Sequence, residues 1–264
     1  MYGPDDPRQN HILAALPAED YARLQPYLER VEMPLGEVLH ESGGRLRHVV
    51  FPTTVIVSRL YVMADGESAE IAVIGNEGLI GVSLFTGGET TPSRAVVVSA
   101  GRAYRLPGSV MKREFQRSDA LQHRLLLYTQ ALLTLVAQTA VCNRHHTLDQ
   151  QLCRWLLLSF DRLDSNKLNM TQELIANMLG VRREGVTEAA THLHRAGLID
   201  YSRGHITLVD RPGLEARVCE CYAVVKKEFD RLLPEGVGGQ SPDSSKRGGI
   251  DQAFVRPRAR PVEC

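Results

Sequence analysis

No charge of either sign predominates in this chain: 31 Lys and Arg stand against 31 Asp and Glu, a formal net charge of zero. A protein that coats nucleic acid along its whole length is excluded, and any contact with phosphate has to come from a local basic patch. Aromatics are scarce, at 6% with a single Trp. No cysteine precedes Cys142, and the five present (Cys142, Cys153, Cys219, Cys221 and Cys264) include no C-x-x-C pair. That pattern gives neither a disulfide framework nor a thioredoxin-type motif, so reduced thiols in the cytoplasm are expected. Cys219 and Cys221, one residue apart, do not by themselves make a metal site, and His145 and His146 read as a polar helix end; no metal and no cofactor is expected. No uninterrupted run of about 18 apolar residues occurs, so no membrane span is expected. The opening MYGPDDPRQN lacks a basic stretch followed by an apolar one, and no signal peptide is expected. There is no Ser-His-Asp order, no phosphate-cradling loop and no H-E-x-x-H, so no catalytic residues and no enzymatic activity are expected.

What is present divides the chain. Residues 10–31 read as two short helices, the second opened by Pro17, with Tyr21, Leu24, Tyr27 and Leu28 at helical spacing. Residues 32–107 carry short β-branched runs, Val49-Val50-Phe51, Thr54 to Val57, Ile71 to Ile74 and Ala95 to Val98. Turn signals such as Ser42-Gly43-Gly44, Asp65-Gly66 and Gly75-Asn76-Glu77-Gly78 separate them, the pattern of a sandwich or barrel. Residues 109–148 turn helical. Leu121, Leu125, Tyr128, Leu132, Leu135, Thr139 and Cys142 alternate at spacings of four and three, a heptad seam suited to a dimer interface. Leu126, Leu133, Val136 and Ala140 widen the stripe, enough to face a partner helix and the β-domain of the same chain together. One further helix over residues 149–163 presents Leu152, Trp155, Leu156 and Phe160. After Pro234 the composition turns to Gly, Ser and Pro, and residues 236–264 read as a disordered tail.

The segment TQELIANMLGVRREGVTEAATHLHRAGLIDYSRGHITLVD meets the steric requirements of two helices crossing at a short turn. Ile175 and Leu179 give the first helix an inward face, and Ala176 is small where the second helix crosses. Gly180 suits a turn residue with positive φ, and Val181 plugs the core behind it. Val186, Ala189 and Leu193 form the narrow buried stripe of the second helix. Its outer face holds Arg182, Arg183, Glu184, Thr187, Glu188 and Thr191. Arg can bond guanine through O6 and N7 and Glu can accept from cytosine N4, so Arg183 and Glu184 are placed to read base edges. Leu198 to Tyr201 and His205 to Leu208 flank Ser202-Arg203-Gly204, a hairpin or wing whose Arg203 could touch phosphate. Thr171 and Gln172, opening the first helix, are phosphate-contact candidates.

The stretch MTQELIANMLGVRREGVTEAATHLHRAGLI resembles the helix-turn-helix of the Crp/Fnr family of transcription regulators, whose second helix begins with an Arg-Glu pair, here Arg183 and Glu184. The chain departs from that pattern at Gly185, often a small hydroxyl residue, and at Glu188, often a further Arg. The resemblance reaches to about residue 233 and implies an α+β protein. It would have an N-terminal β-roll of the cyclic-nucleotide-binding type (a jelly roll, residues 1–108), a long dimerisation helix (109–148) and a C-terminal winged helix-turn-helix (149–235). GNEGLIGVSLFTGG is similar to the loop before the family's phosphate-binding cassette. Where nucleotide-binding members carry a Glu for the ribose, Val82 follows Gly81, and Arg94 is the nearest candidate for the cyclic phosphate; nucleotide binding is not expected. The family's iron–sulfur branch uses cysteines near the N-terminus, which this chain lacks.

These readings predict a homodimeric, cytoplasmic, sequence-specific regulator of transcription that binds a near-palindromic duplex site. RNA polymerase enters as a partner if the protein activates. The alternative is a ligand- or redox-sensing module whose winged domain mainly binds protein, which the neutral charge would suit.

Overall fold

A computed structural model describes residues 3, 5–163, 165–202 and 204–234. The expected tail and the wing-tip Arg203 lie outside the described residues. Two short helices, α1 (His11–Ala14) and α2 (Ala18–Leu24), precede seven antiparallel strands. Asn10 fixes this start. Fully buried, its Oδ1 accepts from the Ile12 and Leu13 amides at the head of α1, and its Nδ2 donates to the Pro52 and Gly78 carbonyls at 2.9 and 2.8 Å.

The strands are β1 (Glu29–Met33), β2 (Val38–His40), β3 (His48–Pro52), β4 (Ile56–Val62), β5 (Ser68–Ile74), then, after the short α3 (Ser83–Thr86), β6 (Arg94–Ser99) and β7 (Gly101–Pro107). They form two sheets, β1-β7-β3 and β2-β6-β4-β5. The β-branched runs that gave them away bury both faces. Val50, Val57, Val97 and Ala103 pack together inside the roll, while their neighbours Phe51, Ile56, Val96 and Tyr104 join the core shared with the helices.

The expected single helix over residues 109–148 is two, α4 (Gly108–Arg117) and α5 (Asp119–His145). Ser118 takes an extended conformation between them, and its hydroxyl accepts from the Leu121 amide as the N-cap of α5. By length and composition α5 is apolar enough to cross a bilayer; in the fold one of its faces is buried against the roll and the helix Glu220–Leu232. That burial corrects the dimer seam. Leu121, Leu125, Tyr128, Leu132, Leu135, Thr139 and Cys142 are all at most 6% exposed within the one chain. Tyr128, for example, donates from its hydroxyl to the Leu79 carbonyl at 3.0 Å and lies so close to Gly78 that a Cβ there would stand 2.5 Å from its oxygen. The apolar residues of α5 left facing outward are Leu126, Leu133 and Val141, 50%, 59% and 46% exposed, with Ala137 and Ala140 on the same face.

The C-terminal half runs α6 (Leu148–Phe160), β8 (Lys167–Asn169), α7 (Gln172–Leu179), α8 (Arg183–Arg195), β9 (Ile199–Ser202), β10 (His205–Leu208), α9 (Arg211–Arg217) and α10 (Glu220–Leu232). The hairpin expected at the wing gains a third strand, β8, and becomes the sheet β8-β10-β9. A capping box, Thr147 with Gln150, starts α6. This half is joined to the roll through β5. The Trp155 indole donates to Glu70 at 3.0 Å, and Arg162 pairs with Glu77 at 2.7 Å. A Cβ on Gly180, in the helix-turn-helix turn, would lie 3.3 Å from the Ala69 Cβ.

Candidate nucleic-acid interface

The helix-turn-helix is assembled as its sequence slots require. Ile175, Ala176, Leu179, Val186, Ala189 and Leu193 are all at most 5% exposed and join the main core. Gly180 adopts φ 65°, ψ 39° and closes α7, its amide donating to the Ala176 carbonyl; only a residue tolerant of the left-handed region fits there. α8 then crosses α7 and α6. At Gly185, where the chain departs from the family pattern, α8 passes close to the start of α6: a Cβ there would lie 2.9 Å from Leu148 Cδ2, the movable end of a side chain.

Arg182, Arg183, Glu184, Thr187 and Glu188 are exposed together on the outer face, whereas Thr191 is half-buried. Arg182 occupies the N-cap position of α8 and makes no side-chain cap bond, so the first-turn amides of α8 have no capping side chain and present the positive end of the helix outward. Neither Arg182 nor Arg183 has an ion-pair partner among the described residues. Glu188 stands 4.0 Å from His192, which also faces Asp149 at 3.2 Å. Thr187 donates to Gln172 Oε1 at 2.8 Å, tying the start of α7 to the face of α8 and leaving the Gln172 amide nitrogen as the free donor. Thr171 accepts from the Leu174 amide as the N-cap of α7, so its own hydroxyl proton remains available. Thr171, Gln172, Arg182, Arg183, Glu184, Thr187 and Glu188 thus belong to two helix starts placed side by side.

In the roll, Val82 and not an acidic residue follows Gly81. Val82 lines a cavity of about 190 Å³ with Gly81, Ser83, Arg59 and Ser93, and offers no acceptor to a ribose hydroxyl. Arg94 is not on its wall; it pairs with Glu41 at 3.1 Å. Arg59, which sequence reasoning passed over, is the guanidinium that lines it and donates to Ser93 at 3.3 Å.

Residues 150–217 match the Crp-like helix-turn-helix domain. No curated protein sequence matches the chain. Among solved structures the chain is similar to FixK2 from Bradyrhizobium japonicum, with TM-score 0.64 and 17% identity over 73% of this chain and 98% of that one. It is similar to a CRP-family transcriptional regulator from Thermus thermophilus, with TM-score 0.60 and 19% identity over 72% of this chain and 95% of that one. It is also similar to the c-di-GMP-responsive global regulator CLP of Xanthomonas campestris, with TM-score 0.56 and 15% identity over 72% and 98%. The chain therefore carries a Crp-like helix-turn-helix DNA-binding domain on the fold of the Crp/Fnr-family transcription regulators.

Proposed function

We propose that the protein is a cytoplasmic homodimer that binds a near-palindromic duplex site and regulates transcription from it under control of a signal on the roll. The observation that carries this reading is the outer face of α8: two arginines without ion-pair partners among the described residues, beside a helix start that no side chain caps. In this reading the first turn of α8 enters the major groove. Arg183 and Glu184 meet base edges, and Arg182, Thr171 and the Gln172 amide hold the phosphates on either side. Thr187 keeps Gln172 in place, and Glu188, without a basic partner on the DNA, limits which bases fit beside it.

The outward face of α5 (Leu126, Leu133, Ala137, Ala140 and Val141) recurs at heptad spacing and fits the same face of a second copy about a two-fold axis. Two such chains would present their recognition helices to successive major grooves about 34 Å apart. A signal on the roll would reach the reading head through β5, which touches α6 by Glu70 and α7 by Ala69. RNA polymerase is a partner if the protein activates. Zero net charge favours a second reading, in which the winged half mainly binds protein. Selection of genomic DNA fragments by the purified protein separates the two: a recovered motif with half-sites one helical turn apart supports the dimeric regulator, and no enrichment over bulk DNA refutes it.

A further inference from the structure

The absence of a metal site was expected from spacing alone, and the fold changes the grounds for it. Cys142 does not join a dimer seam. It lies one turn before the end of α5, and His146, four residues on, caps that helix end. Cys219 is the N-cap residue of α10, without a side-chain cap bond, and Cys221 is the second residue of that helix. α10 packs back along α5, so the four residues converge, and their ligand atoms all lie within 4.8 Å of one another. The three thiols are at most 3% exposed and form a cluster of their own, apart from both apolar cores, with Val218 packed on it.

We propose that Cys142, His146, Cys219 and Cys221 form a closed tetrahedral site for one divalent ion of the zinc class, which ties the end of α5 to the start of α10. The distances are those such an ion needs. Bonds of about 2.3 Å to sulfur and about 2.0 Å to nitrogen place tetrahedral sulfurs about 3.8 Å apart and sulfur and nitrogen about 3.5 Å apart. Cys142 and Cys219 are 3.6 Å apart at sulfur, and Cys221 sulfur is 3.5 Å from His146 Nδ1. A four-iron cluster would need its cysteines spread much more widely. Three sulfurs and one imidazole suit zinc over the hard cations, which take oxygen. With four protein donors no position is left open for water, so the site is structural in kind.

The surroundings fit as well. His146 turns its other ring nitrogen, Nε2, to Glu220 at 3.3 Å, the carboxylate partner that fixes a ligating imidazole. Gln151, buried on α6, donates to the His146 carbonyl at 3.0 Å and holds its backbone. Three thiolates on a divalent ion leave one negative charge. Arg154, 3% exposed, is near enough to act electrostatically on Cys142, and its Nε has no partner among the described residues. Cysteine binds such an ion as the thiolate, so uptake of the ion displaces thiol protons.

Metal analysis of the full-length chain, purified under reducing conditions without chelator, tests the site without reference to DNA, so its failure and that of the regulatory reading are separable. One zinc per chain is expected, and replacement by cobalt should give the visible ligand-field and thiolate charge-transfer bands of a tetrahedral site. Cys221→Ser should lose the charge-transfer intensity that its sulfur supplies. Glu220→Gln, which leaves all four ligands in place, should weaken zinc about 10-fold in a chelator competition. A folded, reduced protein that takes up neither zinc nor cobalt overturns the proposal, as does an iron–sulfur chromophore or a cobalt spectrum unchanged in Cys221→Ser.

Discussion

Replacing Glu70 by Gln should remove a pH dependence of stability that the wild-type protein carries. Glu70 is 6% exposed at the junction of the roll and α6, accepting from Ser58 at 2.5 Å and from the Trp155 indole at 3.0 Å. Burial pushes its carboxyl up from 4.5 to about 7, against the opposing pull of those donors and of Arg154 and Arg162. Between those two values the unfolded chain has released the proton and the folded chain has kept it. Stability therefore falls as pH rises through that window and is level above it. The full span corresponds to about 3 kcal/mol. Gln has the same shape, can still accept from Trp155 and does not titrate. At about pH 8 Glu70→Gln should be more stable than wild type by up to about 3 kcal/mol, and at about pH 4 the two should nearly coincide. Chemical denaturation followed by circular dichroism at fixed protein concentration reads the difference. Parallel stability profiles for wild type and variant across this range would refute the reasoning.

Four other substitutions follow from the same geometry. Leu133→Glu, on the outward face of α5 and away from the core, should convert the proposed dimer to a folded monomer, seen by light scattering; an unchanged mass removes that face from the interface. Arg183→Ala should weaken binding to the selected site by about 1–3 kcal/mol and relax base preference at one position, while Arg182→Ala should weaken all sequences alike. Gly78→Ala should lower stability by about 1–3 kcal/mol, measured by thermal melting, because the new methyl meets the Tyr128 ring.

The helix-turn-helix was legible because its constraints are local. Gly180, Val186 and Leu193 sit within one 40-residue segment, and each slot admits few residue types. The roll was legible as strands, but not the burial of both faces of β4 and β6, since a run such as Ala95 to Val98 looks the same whether one face or two are covered. The long helix shows the limit of periodicity. Its heptad seam is real, yet Leu121 and Tyr128 face the roll while Leu126 and Leu133 face out, and spacing alone cannot assign two apolar stripes to two different neighbours. The break at Ser118 depends on one cap that a continuous apolar pattern conceals. The cysteine cluster was out of reach for another reason. Cys142 and Cys219 are 77 residues apart, and only the return of α10 along α5 brings them together.

The central claim is that this fold reads duplex DNA through the start of α8. Its most direct test is the affinity of the purified protein for the selected site as salt is raised. Log affinity should fall linearly with log salt, by about 0.9 for each phosphate neutralised, with a shallower slope in Arg182→Ala. Binding that is indifferent to salt, or a slope unchanged in that variant, would contradict it.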